Sequence, residues 1–90
     1  MKTSKYNISD YLKTDAQVKE YLNASFATGD SKLIARALGD VARIKGMSKI
    51  AKTANLDRSS LYGSFCEQGD PKLSTVTKLI ETFGYSVSIV

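Results

Sequence analysis

The 90-residue sequence contains no histidine, no tryptophan, one cysteine and one proline. Without histidine, the chain lacks the commonest general base, the Ser-His and Cys-His nucleophile pairs and every zinc site that requires imidazole. The single cysteine, Cys66, excludes an internal disulfide and a multi-cysteine zinc site, and is typical of a reducing compartment. We therefore expect a protein that is not an enzyme and that uses no metal and no cofactor.

Long apolar runs are also missing. No segment approaches the roughly 18 uninterrupted apolar residues of a membrane-spanning helix, and the N-terminal residues lead into no apolar signal stretch. The composition, 42% hydrophobic and 24% charged, is close to the globular average. These properties predict a single folded domain over residues 1–90, located in the cytoplasm and not in a membrane.

The positive charge is concentrated in one window. Residues 43–58 contain five basic side chains opposed by Asp57 alone, so this window carries the whole formal +4 of the chain. Such a cluster favours nucleic acid as a partner, although a solvated helix face is the commoner explanation of a charge cluster.

Two amphipathic helices are expected in the first half of the chain. Thr14 and Gln17 fit a capping box at a helix start, and Gly29 ends the apolar spacing that follows. Asp30 is a suitable N-cap for the next helix, whose broad apolar face continues to Gly46. The apolar positions are Val18, Tyr21, Leu22 and Phe26 in the first helix, and Leu33, Ile34, Ala37, Leu38, Val41, Ala42 and Ile44 in the second.

Three shorter helices are expected in the second half. Each has a residue suited to begin it and a break suited to end it. In chain order, the expected helices follow Ser48, Asp57 (residues 58–65) and Ser74 or Thr75, and they end at Asn55-Leu56, at Gly69-Asp70-Pro71 and at Gly84.

The two ends of the chain have different patterns. Residues 1–13 hold few apolar side chains and are interpreted as an arm or a short docking segment. Residues 85–90 alternate apolar and polar side chains, which predicts a β-strand. That strand would pair with the arm, with the same strand of a second copy or with another protein's sheet edge, and the alternative is a frayed tail. The expected fold is all-α, with about five helices and a short C-terminal β-strand.

Residues 47–65 match the requirements of a lambda-repressor-like helix-turn-helix. Such a motif needs a small residue where its two helices touch, a turn residue that tolerates positive φ, and apolar residues that lock the second helix. Ala51 and Asn55 meet the first two requirements. Ile50, Leu56 and Leu61 meet the third. Together with the charge window, this spacing predicts binding to double-stranded DNA.

The second helix of this motif would read bases in the major groove. If Leu61 and Phe65 point inward, Ser59, Tyr62 and Gly63 lie on the opposite face. The alternatives are a half-buried packing role for Tyr62 and a phosphate or solvent contact for Arg58. The candidates for base contact are Arg58, Ser59, Ser60 and Tyr62.

The first helix of the motif would face the DNA backbone. The candidates for phosphate contact are Ser48, Lys49, Lys52, Arg43 and Lys45. Because so few contacts bind one half-site weakly, we expect a homodimer on a two-fold operator, with the C-terminal strand as one possible dimer contact.

Several longer successions of residues are similar to those of one protein family. They are Ile8-Ser9-Asp10-Tyr11-Leu12, Ile34-Ala35-Arg36-Ala37-Leu38-Gly39-Asp40-Val41-Ala42-Arg43, Leu56-Asp57-Arg58-Ser59-Ser60-Leu61-Tyr62 and Gly69-Asp70-Pro71. Over roughly residues 8–84, the sequence resembles the addiction-module antidote proteins, HigA-like bacterial antitoxins with a Cro/C1-type helix-turn-helix. Two positions depart from the family pattern, Asn55 at the turn glycine and Gly63 where a larger, often basic, residue is usual.

The resemblance implies a type II toxin–antitoxin pair, in which the protein binds a RelE/ParE-like toxin and represses the promoter that the two genes share. The candidate toxin contacts are residues 6–12, the helix face of Val18, Tyr21 and Leu22, and the terminal strand, although packing within the domain explains each equally well. The alternatives to an antitoxin are a stand-alone repressor and a helical adaptor that binds only protein.

Overall fold

The computed structural model describes residues 12–66 and 68–89, and in these residues the chain is all-helical. No described helix is long and apolar enough to cross a bilayer. The helical fold that the sequence predicts is confirmed for the described residues. The described residues contain five helices, α1 (Asp15–Ala27), α2 (Ser31–Lys45), α3 (Met47–Ala54), α4 (Arg58–Ser64) and α5 (Leu73–Thr82).

Local capping chemistry defines the starts of α1 and α2 as the sequence predicts. The Gln17 backbone N–H donates to the Thr14 hydroxyl over 3.1 Å, and the Gln17 side chain accepts from the Thr14 N–H over 3.0 Å. The Asp30 carboxylate accepts from the Lys32 N–H over 2.9 Å. These bonds satisfy backbone donors that have no partner within the helix. Gly29 follows α1 with a φ of 70°, which a residue with a side chain adopts less readily.

The N-caps predicted for α3 and α5 are wrong. Gly46, at a φ of 105°, ends α2 and begins α3 at once, so Ser48 already lies inside the first turn of α3 and its side chain caps nothing. In α5, the Lys72 carbonyl already accepts from the Thr75 and Val76 N–H groups. The helix therefore begins at Leu73, ahead of Ser74 and Thr75.

Helix α2 forms the centre of the core. Its Leu38 and Val41 side chains are fully buried, and α1, α3 and α4 pack around it, while α5 packs on α3. Leu12, which the sequence analysis assigned to the N-terminal arm, is also buried. Residues 1–11 of that arm lie outside the described residues. The other buried members of the core are Val18, Leu22, Ala37, Ala42, Met47, Ile50, Ala51, Leu61, Phe65, Leu79, Ile80 and Phe83.

The C-terminal strand is not observed. Residues 85–89 form no strand, and Val90 lies outside the described residues. A strand needs a neighbour for its backbone hydrogen bonds, and the described part of the chain offers no second strand. Tyr85 instead lies just beyond α5, where its N–H donates to the Ile80 carbonyl over 3.1 Å and its ring lies edge-on to Phe83.

Candidate nucleic-acid interface

A tight turn joins α3 to α4. Asn55 adopts the left-handed conformation, with φ 57° and ψ 46°, as the sequence predicts. Its N–H donates to the Lys52 carbonyl over 3.2 Å, and the Leu56 N–H donates to the Ala51 carbonyl over 2.8 Å. This pair of bonds is the Schellman arrangement, in which asparagine replaces the usual glycine.

Apolar contacts fix α3 against α4. Ala51 and Ile50 of α3 and Leu61 of α4 are buried, and the half-buried Leu56 packs on the same core. The Asp57 carboxylate accepts from the Ser60 N–H over 3.2 Å and caps α4. The apolar residues that the sequence assigns to the packing of these two helices are therefore buried in, or packed against, one core.

The outer face of α4 is polar and exposed. Leu61 and Phe65 are each 1% exposed, so they do point inward. Tyr62 is 41% exposed, and at Gly63 an added Cβ would meet no atom within 4 Å. The four side chains predicted to contact bases all lie at the surface, namely Arg58, Ser59, Ser60 and Tyr62.

Tyr62 lies close to two guanidinium groups. Its ring centroid is 5.6 Å from Arg58 Cζ and 5.7 Å from Arg43 Cζ. Arg58 Nη2 also donates to the Tyr62 hydroxyl over 3.4 Å. Because Arg43 belongs to α2, this cluster joins the surface of α4 to the central helix.

The five predicted phosphate contacts fall into two groups. Ser48, Lys49 and Lys52 are exposed on α3, and neither lysine forms an ion pair with any residue of 12–66 or 68–89. The other two basic side chains are engaged: Arg43 pairs with Asp40, and Lys45 Nζ lies 6.0 Å from the Phe83 ring centroid. The two lysines of α3 thus present charge that the described fold does not neutralise.

The sequence analysis assigned no role to Asp40, which holds Arg43 in place. Asp40 Oδ1 lies 3.6 Å from Arg43 Nη1, and Asp40 Oδ2 accepts from the Tyr21 hydroxyl over 2.7 Å. The spacing of Asp40 and Arg43, three residues apart on one helix, was a usable signal. The contact with Tyr21 crosses from α1 to α2 and has no local signal.

A second surface lies between α1 and residues 85–89, called here the C-terminal segment. It is a groove of about 590 Å³ that includes Leu22, Phe26 and Ile80, with Val87 and Ile89 at its rim. Of the predicted toxin contacts on α1, Val18 and Leu22 are buried in the core, and Tyr21 is half-buried.

The Tyr85 hydroxyl donates to Asp15 beside this groove. Burial, and next the hydrogen bond to Asp15, raise the pKa of Tyr85 to about 12. The same hydrogen bond holds the pKa of Asp15 below its ordinary value. The bond therefore joins the first residue of α1 to the segment that follows α5.

Comparison with known proteins identifies the family. A family described as "Probable addiction module antidote protein" matches residues 2–90 of this sequence. The chain belongs to that family. Membership in the antidote family indicates an antitoxin role and implies a toxin as partner in general. The antidote part of the resemblance is thus confirmed, whereas the HigA-like Cro/C1 subtype stays a prediction.

One relative is similar to this chain over most of its length. A protein of Haemophilus influenzae (strain Rd), described only as an uncharacterized protein, is 30% identical over 84 residues, which cover 93% of this chain and 87% of the relative. No solved structure shows a significant match to this antidote family member.

Proposed function

We propose that this protein is an antitoxin that neutralises a RelE/ParE-like toxin in the cytoplasm and, as a homodimer, represses its own operon by binding operator DNA. The proposal of DNA binding rests on the surface of the α3–α4 pair. Its second helix presents an exposed polar face, and its first helix adds lysines without an ionic partner among the described residues.

The arrangement suits a helix-turn-helix of the lambda-repressor type. In that motif the second helix enters the major groove and the first crosses the backbone. Arg58 is long enough to approach a guanine edge, and the hydroxyls of Ser59 and Ser60 accept or donate. Because Gly63 has open space around it, the DNA could approach the α4 backbone closely. Lys49 and Lys52, on α3, would then contact phosphates of the DNA backbone.

Selection from a randomised duplex pool tests this half of the proposal. The protein should retain a restricted set of sequences that contain two related half-sites about one helical turn apart, because a homodimer presents two copies of α4. The stoichiometry on the selected duplex should be two chains. Recovery of a random pool, or no recovery above background, would contradict operator binding.

Family membership supports the toxin half. Co-expression with the product of an adjacent small open reading frame should restore growth that this product alone arrests, and the two proteins should co-purify. If the neighbour is harmless and does not bind, the toxin assignment fails and a stand-alone repressor becomes the better reading. If no duplex is selected but a protein partner binds, the helical adaptor is favoured.

The C-terminal segment is the toxin contact that the surface supports best. Val87 and Ile89 are 56% and 98% exposed at the groove that this segment forms with α1, and no charged side chain lies in residues 85–89. The double substitution Val87→Ser and Ile89→Ser should abolish co-purification with the toxin and leave the fold intact. Leu73→Ser, at another exposed apolar side chain, is the matched control and should bind normally. Equal binding by both variants would remove the segment from the contact.

A further inference from the structure

The aromatic ring on the outer face of α4 is held from two helices. Arg58 lies four residues before Tyr62 on α4, whereas Arg43 approaches the same ring from α2. A guanidinium within about 6 Å of an aromatic centroid is attracted to the negative face of the ring. Tyr62 therefore has a second contact, outside its own helix, that restricts where its ring can turn.

Arg43 is itself anchored through a carboxylate. Both oxygens of Asp40 are engaged, Oδ1 with Arg43 Nη1 at 3.6 Å and Oδ2 with the Tyr21 hydroxyl at 2.7 Å. The Asp40 side chain is 19% exposed, so solvent competes for these contacts less than at an open surface pair. A continuous series of contacts thus runs from α1 through α2 to α4.

The backbone of α2 leaves room for this arrangement. A Cβ at Gly39 would lie 3.2 Å from Arg43 Nη1 and would overlap the carbonyl oxygen of Phe65, the residue that follows α4. The absence of a side chain at position 39 allows α4 to approach α2 closely. Close approach, in turn, brings the ring of Tyr62 within reach of Arg43.

We propose that Arg43 positions the α4 surface instead of contacting a phosphate, and that Tyr21 and Asp40 act through it to fix the orientation in which Tyr62 meets the bases. This inference rests on the proposed DNA binding and deepens it. Tyr62 becomes a determinant of operator preference, and Tyr21 becomes a positioning residue on a helix that lies outside the α3–α4 pair. Coupling of this kind passes through contiguous packed and hydrogen-bonded groups.

The two roles of Arg43 differ in their dependence on salt. A phosphate contact weakens binding to every duplex when it is removed and lowers the salt slope by about one. A positioning residue leaves the number of neutralised phosphates unchanged. Its removal instead lowers the affinity for the operator relative to random DNA, because the misplaced side chain is one that reads bases.

Tyr21→Phe is the decisive variant, because it removes one hydroxyl group from α1. Tyr85→Phe is the matched control, since it removes a hydroxyl that also donates to a carboxylate, but to that of Asp15 on α1. Using a duplex selected by the wild-type protein, we expect Tyr21→Phe to reduce the operator-to-random affinity ratio roughly threefold to tenfold with an unchanged salt slope. Tyr85→Phe should keep the wild-type ratio.

Two further variants test the proposal if Tyr21→Phe fails to fold. Asp40→Asn and Arg43→Gln should each reduce the ratio at least as much as Tyr21→Phe, again without a change in slope. In the free protein, the ring ¹H–¹³C NMR resonances of Tyr62 should shift in Asp40→Asn and Arg43→Gln and stay in place in Tyr85→Phe.

Three results would overturn the inference. A salt slope lowered by about one in Arg43→Gln, with equal weakening on both duplexes, would make Arg43 a phosphate contact. Unchanged ratios in both Tyr21→Phe and Asp40→Asn would remove the positioning role while wild-type operator binding stands. Failure of the wild-type protein itself to select any duplex would overturn the proposed function, and this inference with it.

Discussion

The contact between α2 and α4 differs sharply from the groove between α1 and the C-terminal segment. In the first, Gly39 lets two backbones approach closely, and Arg43 bridges to Tyr62. In the second, a groove of about 590 Å³ remains between packed elements, and Ile89 at its rim is almost fully exposed. A close contact holds side chains in fixed directions, whereas an open groove leaves apolar surface uncovered. The first property suits the reading of DNA and the second suits the capture of a partner.

Charge separates the same two regions. The basic window of residues 43–58 includes the end of α2, all of α3 and the start of α4. Residues 85–89 carry no charged side chain. Since DNA binding depends on phosphate neutralisation and contacts with apolar partner surfaces do not, the two surfaces should respond differently to salt.

The largest effect is expected where α2 meets the end of α4. Gly39→Ala places a Cβ against the Phe65 carbonyl oxygen, which belongs to the backbone and cannot rotate away. We expect a loss of about 3 kcal/mol in the free energy of unfolding, the upper part of the range for overpacking. Urea denaturation followed by circular dichroism measures it.

Gly63→Ala is the matched control for that substitution. It also adds one methyl group to a helical glycine, but into open space, so it should stabilise the protein by about 0.5–1 kcal/mol. If both variants lose stability equally, the close approach of α2 and α4 is not the feature that distinguishes position 39.

The second effect concerns charge on α3. Replacing Lys49 and Lys52 with alanine should weaken binding to all duplexes and reduce the salt slope by about two, since each phosphate contact contributes about 0.9. The slope is measured from dissociation constants over a range of salt concentrations. Lys32→Ala with Lys78→Ala, two exposed lysines outside the basic window, is the control and should keep the wild-type slope. An unchanged slope in the first pair would remove α3 from the interface.

Several features that depend on residues close together along the chain could be predicted from the sequence. Thr14, Asp30 and Asp57 cap helices as predicted, because a cap is decided within one turn of chain, although the caps predicted for α3 and α5 are not formed. The predicted C-terminal strand is not formed in residues 85–89. Alternation of apolar and polar residues indicates only which side chains a strand would bury, whereas the strand itself needs a neighbouring backbone to pair with.

The candidate site was anticipated only in part for the same reason. The exposed face of α4 follows from helical periodicity, so Ser59 and Tyr62 could be placed at the surface from the sequence. The contact of Asp40 with Tyr21 joins residues of different helices, and the overlap that Gly39 avoids depends on how α2 packs. Neither can be read from spacing along the chain.

A smaller effect is expected at the predicted base contacts. Ser59→Ala removes one hydroxyl from the exposed face of α4. It should reduce the operator-to-random affinity ratio roughly fivefold, which corresponds to about 1 kcal/mol and lies near the lower end for a lost base contact. Competition binding with both duplexes measures the ratio. Ser86→Ala, at an exposed serine of the C-terminal segment, should leave it unchanged. Equal weakening on both duplexes by Ser59→Ala would mean that a different face of α4 meets the bases.

The smallest effect is a pH dependence at the groove. The folded protein raises the pKa of Tyr85 from 10.0 to about 12, so the folded state holds this proton more tightly than the unfolded state. The resulting stability is fully present below pH 10 and is lost as the pH rises from 10 to about 12. Tyr85→Phe cannot lose this contribution, because it has no proton to release.

The free energy of unfolding of Tyr85→Phe should therefore approach that of the wild-type protein as the pH rises through this interval. Urea denaturation at pH 9, 10, 11 and about 12 measures the difference, and lysine titration, common to both proteins, largely cancels in the comparison. Tyr62→Phe, at the α4 surface, is the control that lacks the Asp15 partner. A constant difference between wild type and Tyr85→Phe would show that the hydroxyl does not bond Asp15 in solution, and the contact of Lys19 Nζ with the Tyr85 ring, at 5.7 Å from its centroid, would then remain between α1 and this residue.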